Sequence, residues 1–423
     1  VFHRTGNAIA ECGAMTVIVL FGGRSDERHV SVASAQNVVR TLGSPLAWFW
    51  APNGAVYDVN REELLAHANP FTNDFQPSRP AIWPDLEMAL DTLPVEDPVF
   101  LLALHGGEGE DGTVQRLMEA RGIPFTGSGS TASAAAFDKG RAKEIVKDRV
   151  RIAESSVVQD VRNIAATIAE MLERHEKIVL KPLAGGSSRG LFFVDRGSAI
   201  PAVDNVPYIV EQFIAGRELT VGVIEGDDGP VVLPVIEIET DPGARFDYEG
   251  KYLGKGTREI CPAKIPDAMR DEAQSMSLAA HIALGCEGYS RSDLIASSEG
   301  VYFLELNTLP GLTTSSLVPQ QLHEAGISFR DFLETQIVIA RENVFTRRRG
   351  ENRFSSATPR LRVKLVFSPA LGTELRRSLG LVPARAACFL QRVRRAAFGT
   401  ELSALRLRPA RCADGARDLI DLA

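Results

Sequence analysis

The sequence predicts an α/β protein of two or three layered domains, on three observations. Two short apolar runs, Thr16-Val-Ile-Val-Leu-Phe21 and residues 99–104, each end in glycine-bearing turns. Both are followed by stretches with helical spacing, which is how strand–turn–helix units stacked in layers read. The third observation is size: 423 residues, 44% hydrophobic and 24% charged, suffice for several ordinary cores.

The body opens with the 16–21 run, which stops at Gly22-Gly23 and reads as a buried parallel strand entering a tight turn. Ser25 is placed to cap a helix whose apolar Val30, Ala33, Val38 and Leu42 fall on one face. The second strand, 99–104, runs into His105-Gly106-Gly107, and a helix is expected over 113–120. Beyond Phe125-Thr-Gly-Ser-Gly129, the Ala-rich segment 130–146 predicts one continuous helix. A strand at 177–181 leads into Pro182-Leu-Ala-Gly-Gly-Ser-Ser-Arg-Gly190, and strands follow at 208–213, 218–224 and 231–238. The irregular stretch 241–257, with Gly243, Gly250, Gly254 and Gly256, predicts a long hinged loop. A helix at 267–284 and a hairpin of 288–296 with 301–306 complete the body.

Composition excludes several classes. No apolar run approaches the roughly 18 residues of a membrane-crossing helix. Nothing before Met15, a candidate start, reads as a secretion signal, so a cytoplasmic enzyme is expected. Cys12, Cys261, Cys286, Cys388 and Cys412 are odd in number, scattered and never in a CxxC pair, which predicts reduced thiols rather than a disulfide or zinc framework. The net charge of −7 hides an asymmetry: residues 341–423 carry 18 Lys and Arg against 7 Asp and Glu, or +11, leaving −18 for 1–340. A basic appendage on an acidic enzyme body is the plainer reading, and a nucleic-acid grip by that tail the sharper one.

The chemistry concentrates near the hairpin. Glu305 and Asn307 lie two apart, so on a strand they share one face while Leu304 and Leu306 take the other. With a turn over 297–300, Asp293 falls within about one residue of the position opposite Glu305. Carboxylates that close repel unless a cation lies between them, and an all-oxygen set favours Mg²⁺. A solvated polar strand face is the plain alternative. Arg291 faces the same way and offers a fork for a carboxylate or an oxyanion, unless it forms only a surface ion pair. The Gly185–Gly190 loop suits phosphate, with Lys181 before it and Lys139 on the preceding helix as cations. No GxxxxGK[ST] occurs, so a P-loop is excluded. Gly127-Ser-Gly129-Ser-Thr-Ala132 with Asp148 fits a dinucleotide fingerprint, but Asp148 should then end a strand, and 139–148 reads as helix. An oxidoreductase is therefore a minor alternative.

Taken together, residues 15–340 resemble the D-alanine–D-alanine ligases in unbroken order. The resemblance rests on Phe21-Gly-Gly-Arg-Ser-Asp-Glu27-Arg-His-Val-Ser31, Ala103-Leu-His105-Gly-Gly-Glu-Gly-Glu-Asp-Gly-Thr113, Thr126-Gly-Ser-Gly129, Asp138-Lys139 and Lys181-Pro with Ser187-Ser188-Arg-Gly190. It continues through Asp247-Tyr-Glu-Gly-Lys251-Tyr252, Arg291-Ser-Asp293 and Glu305-Leu-Asn307-Thr-Leu-Pro-Gly311-Leu-Thr-Thr-Ser-Ser316-Leu317-Val-Pro. It departs at Gly106-Gly-Glu-Gly-Glu110, Ser292, Asp247 and the connection 148–158, none of which removes a ligand.

The resemblance implies an ATP-grasp fold of three α/β domains, the first Rossmann-like, spanning 15–127, 128–212 and 213–340. Outside these lie an extension, 1–14, and the tail, 341–423, for which the family has no counterpart. By the same resemblance Glu211 and Phe213 contact adenine, Glu218 the ribose, and Lys139, Lys181, Ser188 and Lys251 the phosphates, with Leu304 a further ATP-binding residue. Asp293, Glu305 and Asn307 hold two Mg²⁺ ions, with Mn²⁺ a substitute. Glu27 and His105 take the first D-alanine, while Arg291, Gly311, Ser316 and Leu317 line the second subsite. Tyr252 closes the hinged loop with Ser187 and Glu27, and marks peptide rather than ester synthesis. The partners implied are ATP, D-alanine and a second copy of the chain, with no membrane or nucleic acid. Two further readings stand beside this one: a different ATP-grasp carboxylate–amine ligase, and a nucleotide-binding module without catalysis.

Overall fold

The computed structural model describes residues 15–186, 190–226, 229–240, 256–348, 364–365, 407–410 and 419–422. Strand β1 (Thr16–Gly22) is followed by helix α1 (Arg28–Leu42), β2 (Leu46–Trp50), β3 (Val56–Val59), the short helices α2 (Arg61–Ala66) and α3 (Leu86–Asp91), β4 (Pro98–Leu102) and α4 (Thr113–Arg121). The strands form a sheet in the order β3-β2-β1-β4, with β1 parallel to both neighbours and β3 antiparallel at the edge. Ile18 to Phe21 of β1 are wholly buried, as a parallel strand covered on both faces requires. Gly22 makes the turn at φ 94°, where a Cβ would stand 2.4 Å from the Trp50 carbonyl oxygen. The helix cap is Glu27, not the expected Ser25. Ser25 instead donates to the His105 carbonyl and accepts from the Glu27 amide, tying the turn after β1 to the turn after β4.

Residues 130–146 are two helices rather than one: α5 (Ser130–Phe137) and α6 (Lys139–Val146). Asp138 between them is extended, and its carboxylate caps α6 by accepting from the Arg141 amide. The aspartate offers the backbone an alternative to a continuous helix, and that outweighs the propensity of the flanking alanines. Lys139 thus starts a helix, with Lys143 one turn later on the same face. β5 (Ser155–Val158), α7 (Ile164–Arg174), β6 (Lys177–Pro182), β7 (Phe192–Asp195) and β8 (Tyr208–Gln212) follow, and the strands make an antiparallel sheet in the order β5-β8-β6-β7. Ile178, Leu180, Val194, Tyr208 and Val210 form a core with Ile168 and Met171 of α7. Strand alternation turns Val179, Lys181 and Glu211 to the opposite face.

β9 (Arg217–Gly226) is the spine of the third sheet. One edge pairs antiparallel with β10 (Gly229–Val232) and then β11 (Ile236–Thr240), which β12 (Thr257–Ile260) extends. The run 231–238, expected as one strand, is broken because Pro234 has no amide for the ladder. After α8 (Asp267–Ala283), β13 (Tyr289–Ser297) pairs along the other edge of β9 and forms a hairpin with β14 (Gly300–Asn307). Helices α5, α6 and α8 share the core of this sheet through Ala135, Ala142, Val146, Ala273, Leu294 and Phe303. α9 (Leu317–Glu324) and α10 (Phe329–Arg348) contribute Val318, Phe332 and Ile337 to the core of the first sheet.

Helix α10 continues past residue 340, into the segment read from sequence as the start of the basic tail. It runs to Arg348 and is anchored past Ala340 by an Arg341–Asp97 ion pair at 2.6 Å and by Asn343 donating to Glu287 at 3.2 Å. β15 (Lys364–Leu365) adds to the edge of β10 in parallel. Residues 367–423 form a separate unit with a hairpin of β16 (Leu407–Ala410) and β17 (Leu419–Leu422). No helix among the described residues is long and apolar enough to cross a membrane.

Candidate active site

The hairpin register places Asp293 directly opposite Glu305, and Arg291 opposite Asn307. Between Asp293 and Leu294 the register shifts, so Leu304 is an extra residue with no partner. That bulge corrects the expected alternation. Leu306 stays in the core, whereas Leu304 is half-buried and outside it, beside Glu305. Asp293 is buried and accepts from Arg291 through both oxygens, at 2.9 and 2.7 Å. Thr220 Oγ1 on β9 donates to Asp293 Oδ1 at 2.7 Å, and Asn307 Nδ2 donates to Oδ2 at 3.3 Å. The two carboxylates and the amide therefore share one surface, and each carboxylate has a cation against it: Arg291 on Asp293, and Lys139 on Glu305 at 3.4 Å.

Lys139 Nζ also donates to the Gly185 carbonyl at 2.7 Å, so the start of α6 touches both the hairpin and the glycine loop. Lys181 stands 2.7 Å from Glu211 Oε2, and Lys143 stands 2.5 Å from Glu211 Oε1. Burial by itself would raise the Glu211 carboxyl, but Lys181 and Lys143 hold it down at about 2. Burial pushes the Lys143 amine down against the pull of Glu211, while Lys181, though also desolvated, is held above its ordinary value by the same carboxylate. Phe213 follows β8 on the Glu211 side, edge-on to Phe193 and under the Lys177 amine. Glu218 lies on β9, opposite Ile295.

A second group of residues meets where the first sheet faces the loop after β14. Gly106, at φ 66°, lies so close to Glu27 that a Cβ there would stand 2.6 Å from Oε2; one on Gly186 would stand 3.1 Å away. His105 is buried, with Nε2 at 3.2 Å from Ser34 Oγ and Nδ1 at 3.6 Å from Glu110. Ser34 also accepts from the Leu312 amide, and a Cβ on Gly311 would touch Ser316 Oγ and His105. Ser316 Oγ in turn accepts from the Thr313 amide at 3.1 Å, and Leu317 opens α9 in the core beside Ile236. Glu27, His105, Gly311 and Ser316 thus converge, with Gly186 over them.

Ser187, Ser188, Lys251 and Tyr252, and residues 241–255 of the expected loop 241–257, lie outside the described residues. Sequence reasoning missed Lys143, Thr220, Ser34 and Glu110. For Lys143 a signal existed, since it lies four residues beyond Lys139 on a helix. For Thr220 and Ser34 none did, because their partners are distant in the chain. Asp148 falls after the end of α6 and ends no strand, so it does not stand where the acid of a dinucleotide fingerprint belongs. Cys261 and Cys286 are free thiols.

Three α/β sheets with lysines and carboxylates facing one another between the second and third define an enzyme of the ATP-grasp class. The chain belongs to the D-alanine–D-alanine ligase family: residues 16–128 match the family model for the D-ala D-ala ligase N-terminus and residues 149–338 that for its C-terminus. It is 36% identical over 334 residues to a D-alanine–D-alanine ligase of Desulforudis audaxviator, covering 77% of this chain and 98% of that one. It is 39% identical over 326 residues to one of Rhodospirillum rubrum, covering 75% and 95%. Among solved structures, the VanG D-Ala:D-Ser ligase of Enterococcus faecalis superposes with a TM-score of 0.64 at 27% identity, covering 77% and 99%. The Bacillus anthracis D-alanine–D-alanine ligase complexed with ATP superposes at 0.58 and 24% identity, covering 79% and 99%, which is a likeness of fold.

Proposed function

We propose that the chain is a cytoplasmic homodimer that uses ATP to join two D-alanine molecules through a D-alanyl phosphate, supplying peptidoglycan precursors. The observation that carries this reading is the convergence of Glu27, His105, Gly311 and Ser316 in a chain whose hairpin also gathers Asp293, Glu305 and Asn307. The donor set fits a hard divalent ion: it is all oxygen, and both carboxylates already attract cations. Asp293, Glu305 and Asn307 would hold Mg²⁺, or Mn²⁺, whose charge supports phosphoryl transfer.

Glu27 pairs with the ammonium of the first D-alanine, leaving that amino acid's carboxylate to attack the γ-phosphate. Lys139 and Lys181, with Ser188 and Lys251 of the two loops, neutralise the phosphates as charge moves to the ADP oxygen. The amine of the second D-alanine then attacks the acyl carbon and phosphate leaves. Arg291 with the backbone near Gly311 steadies the oxyanion, a role worth about 3–4 kcal/mol per donor at comparable sites. Ser187 and Tyr252 exclude water from the acyl phosphate. Phosphate release from Mg-ATP with D-alanine, set against L-alanine and D-lactate, tests the reading; release with L-alanine at the D-alanine rate would overturn it.

A further inference from the structure

Lys143 is not among the residues to which the family resemblance gives a role, yet it is one of the most deeply buried charges among the described residues, with a side chain 3% exposed. Its ion-pair partner among the described residues is Glu211, itself 3% exposed, whose other oxygen is held by Lys181. The elements fix this arrangement. Glu211 comes at the end of β8, on the face that α7 does not cover, opposite Val179 and Ser155. Lys143 reaches that face from α6, and Lys181 reaches it from β6. Glu211 Oε1 stands 2.5 Å from Lys143 Nζ, and a carboxylate oxygen, with two lone pairs, can accept from a second donor beside it.

We infer that Lys143 is a positioning residue for nucleobase selection: it locks Glu211 as a fixed anion that accepts from an exocyclic amino group and rejects a carbonyl at the same place. The inference rests on the placement of Glu211 against the base. A carboxylate flanked by two ammonium groups only accepts hydrogen bonds. A 6-amino purine satisfies it. A 6-oxo purine sets oxygen against oxygen in a buried place and leaves both unpaired. Lys181 serves the phosphates as well, whereas Lys143, though it also feels Glu305 at longer range, makes its close ion pair among the described residues with Glu211.

The test compares ATP with GTP in D-alanine-dependent phosphate release by the full chain, for the parent and for Lys143→Met, Lys143→Gln and Lys143→Arg. Without the cation, KM for ATP should rise about 10- to 100-fold, more than kcat falls, and the ATP-over-GTP ratio of kcat/KM should drop at least about tenfold. The Arg variant, which keeps the charge, should retain the ratio to within about threefold. Met and Gln give two chances of a folded chain, checked by thermal melting. A folded Met or Gln chain with the parent's ATP-over-GTP ratio overturns the inference. A parent that uses GTP as well as ATP instead overturns the placement of Glu211 against the base, and the inference with it.

Discussion

Thr220→Val is the sharpest probe of the carboxylate face, because it changes one atom group and almost no volume. Thr220 is fully buried on β9, opposite Asp293, and its hydroxyl donates to Asp293 Oδ1 at 2.7 Å. Hydrogen bonds to a charged group contribute about 1.5–3 kcal/mol. In the metal-free chain part of that loss is masked, since Arg291 also donates to both Asp293 oxygens. When a divalent ion competes with Arg291 for this carboxylate, Thr220 is left to orient it, and the full loss appears in metal affinity. At 1.4 kcal/mol per decade that is about 10- to 100-fold, which matches the usual cost of removing an outer partner of a metal ligand. The assay is phosphate release at saturating ATP and D-alanine, titrated with Mg²⁺. The half-saturating Mg²⁺ concentration should rise by at least about tenfold in Thr220→Val and return to near the parent's in Thr220→Ser. A Val variant with the parent's Mg²⁺ midpoint would refute the placement of the ion at Asp293.

Three further outcomes are expected. Gly106→Ala puts a methyl group 2.6 Å from Glu27 Oε2 at a left-handed backbone position, so KM for D-alanine should rise at least about tenfold while KM for ATP moves little; equal shifts in both would count against Glu27 as the ammonium partner. Burial pushes the His281 imidazole down to about 4 from 6.5, so the unfolded chain binds a proton that the folded chain refuses between those values. Stability is therefore unaffected by this group above pH 6.5 and falls by on the order of 3 kcal/mol as pH drops toward 4, and urea melts of His281→Gln should show a shallower fall. Finally, a chain ending at Arg348 should melt above one ending at Ala340, which lacks the Arg341–Asp97 pair and the Asn343–Glu287 bond; equal midpoints would mean the last two turns of α10 are dispensable.

The strands that face both ways into cores, such as 16–21, were legible because a continuous apolar run has one explanation at that length. The Asp293–Glu305 pairing was legible because a short turn fixes hairpin register, and the structure sets the two directly opposite. The bulge at Leu304 was not, since two-residue alternation carries no mark of an inserted residue. The break at Asp138 was misread because composition favoured helix on both sides, while the competing cap is a single side chain. Ser34, Thr220 and Glu110 were invisible for a different reason. Each acts through hydrogen bonds or an ion pair to residues chosen by tertiary packing, and serine or threonine in an apolar stretch reads as filler.

The Lys143–Glu211–Lys181 cluster makes a poor device for stability. Removing each ion from water costs several kcal/mol, and two ammonium groups on one carboxylate repel each other. A trio of apolar side chains of similar volume would hold α6, β6 and β8 together at least as well. What apolar side chains could not supply is what the proposed function asks of these residues: a fixed anion beside a base and a cation shared with phosphate. The triple change Lys143→Met, Lys181→Met and Glu211→Leu should therefore leave a folded chain with a melting midpoint at or above the parent's, yet without ATP-dependent phosphate release. The double-sided outcome is what separates function from architecture: a triple variant that unfolds while single Lys143→Met stays folded would show that the ions hold these elements together, and the functional account of their burial would fail.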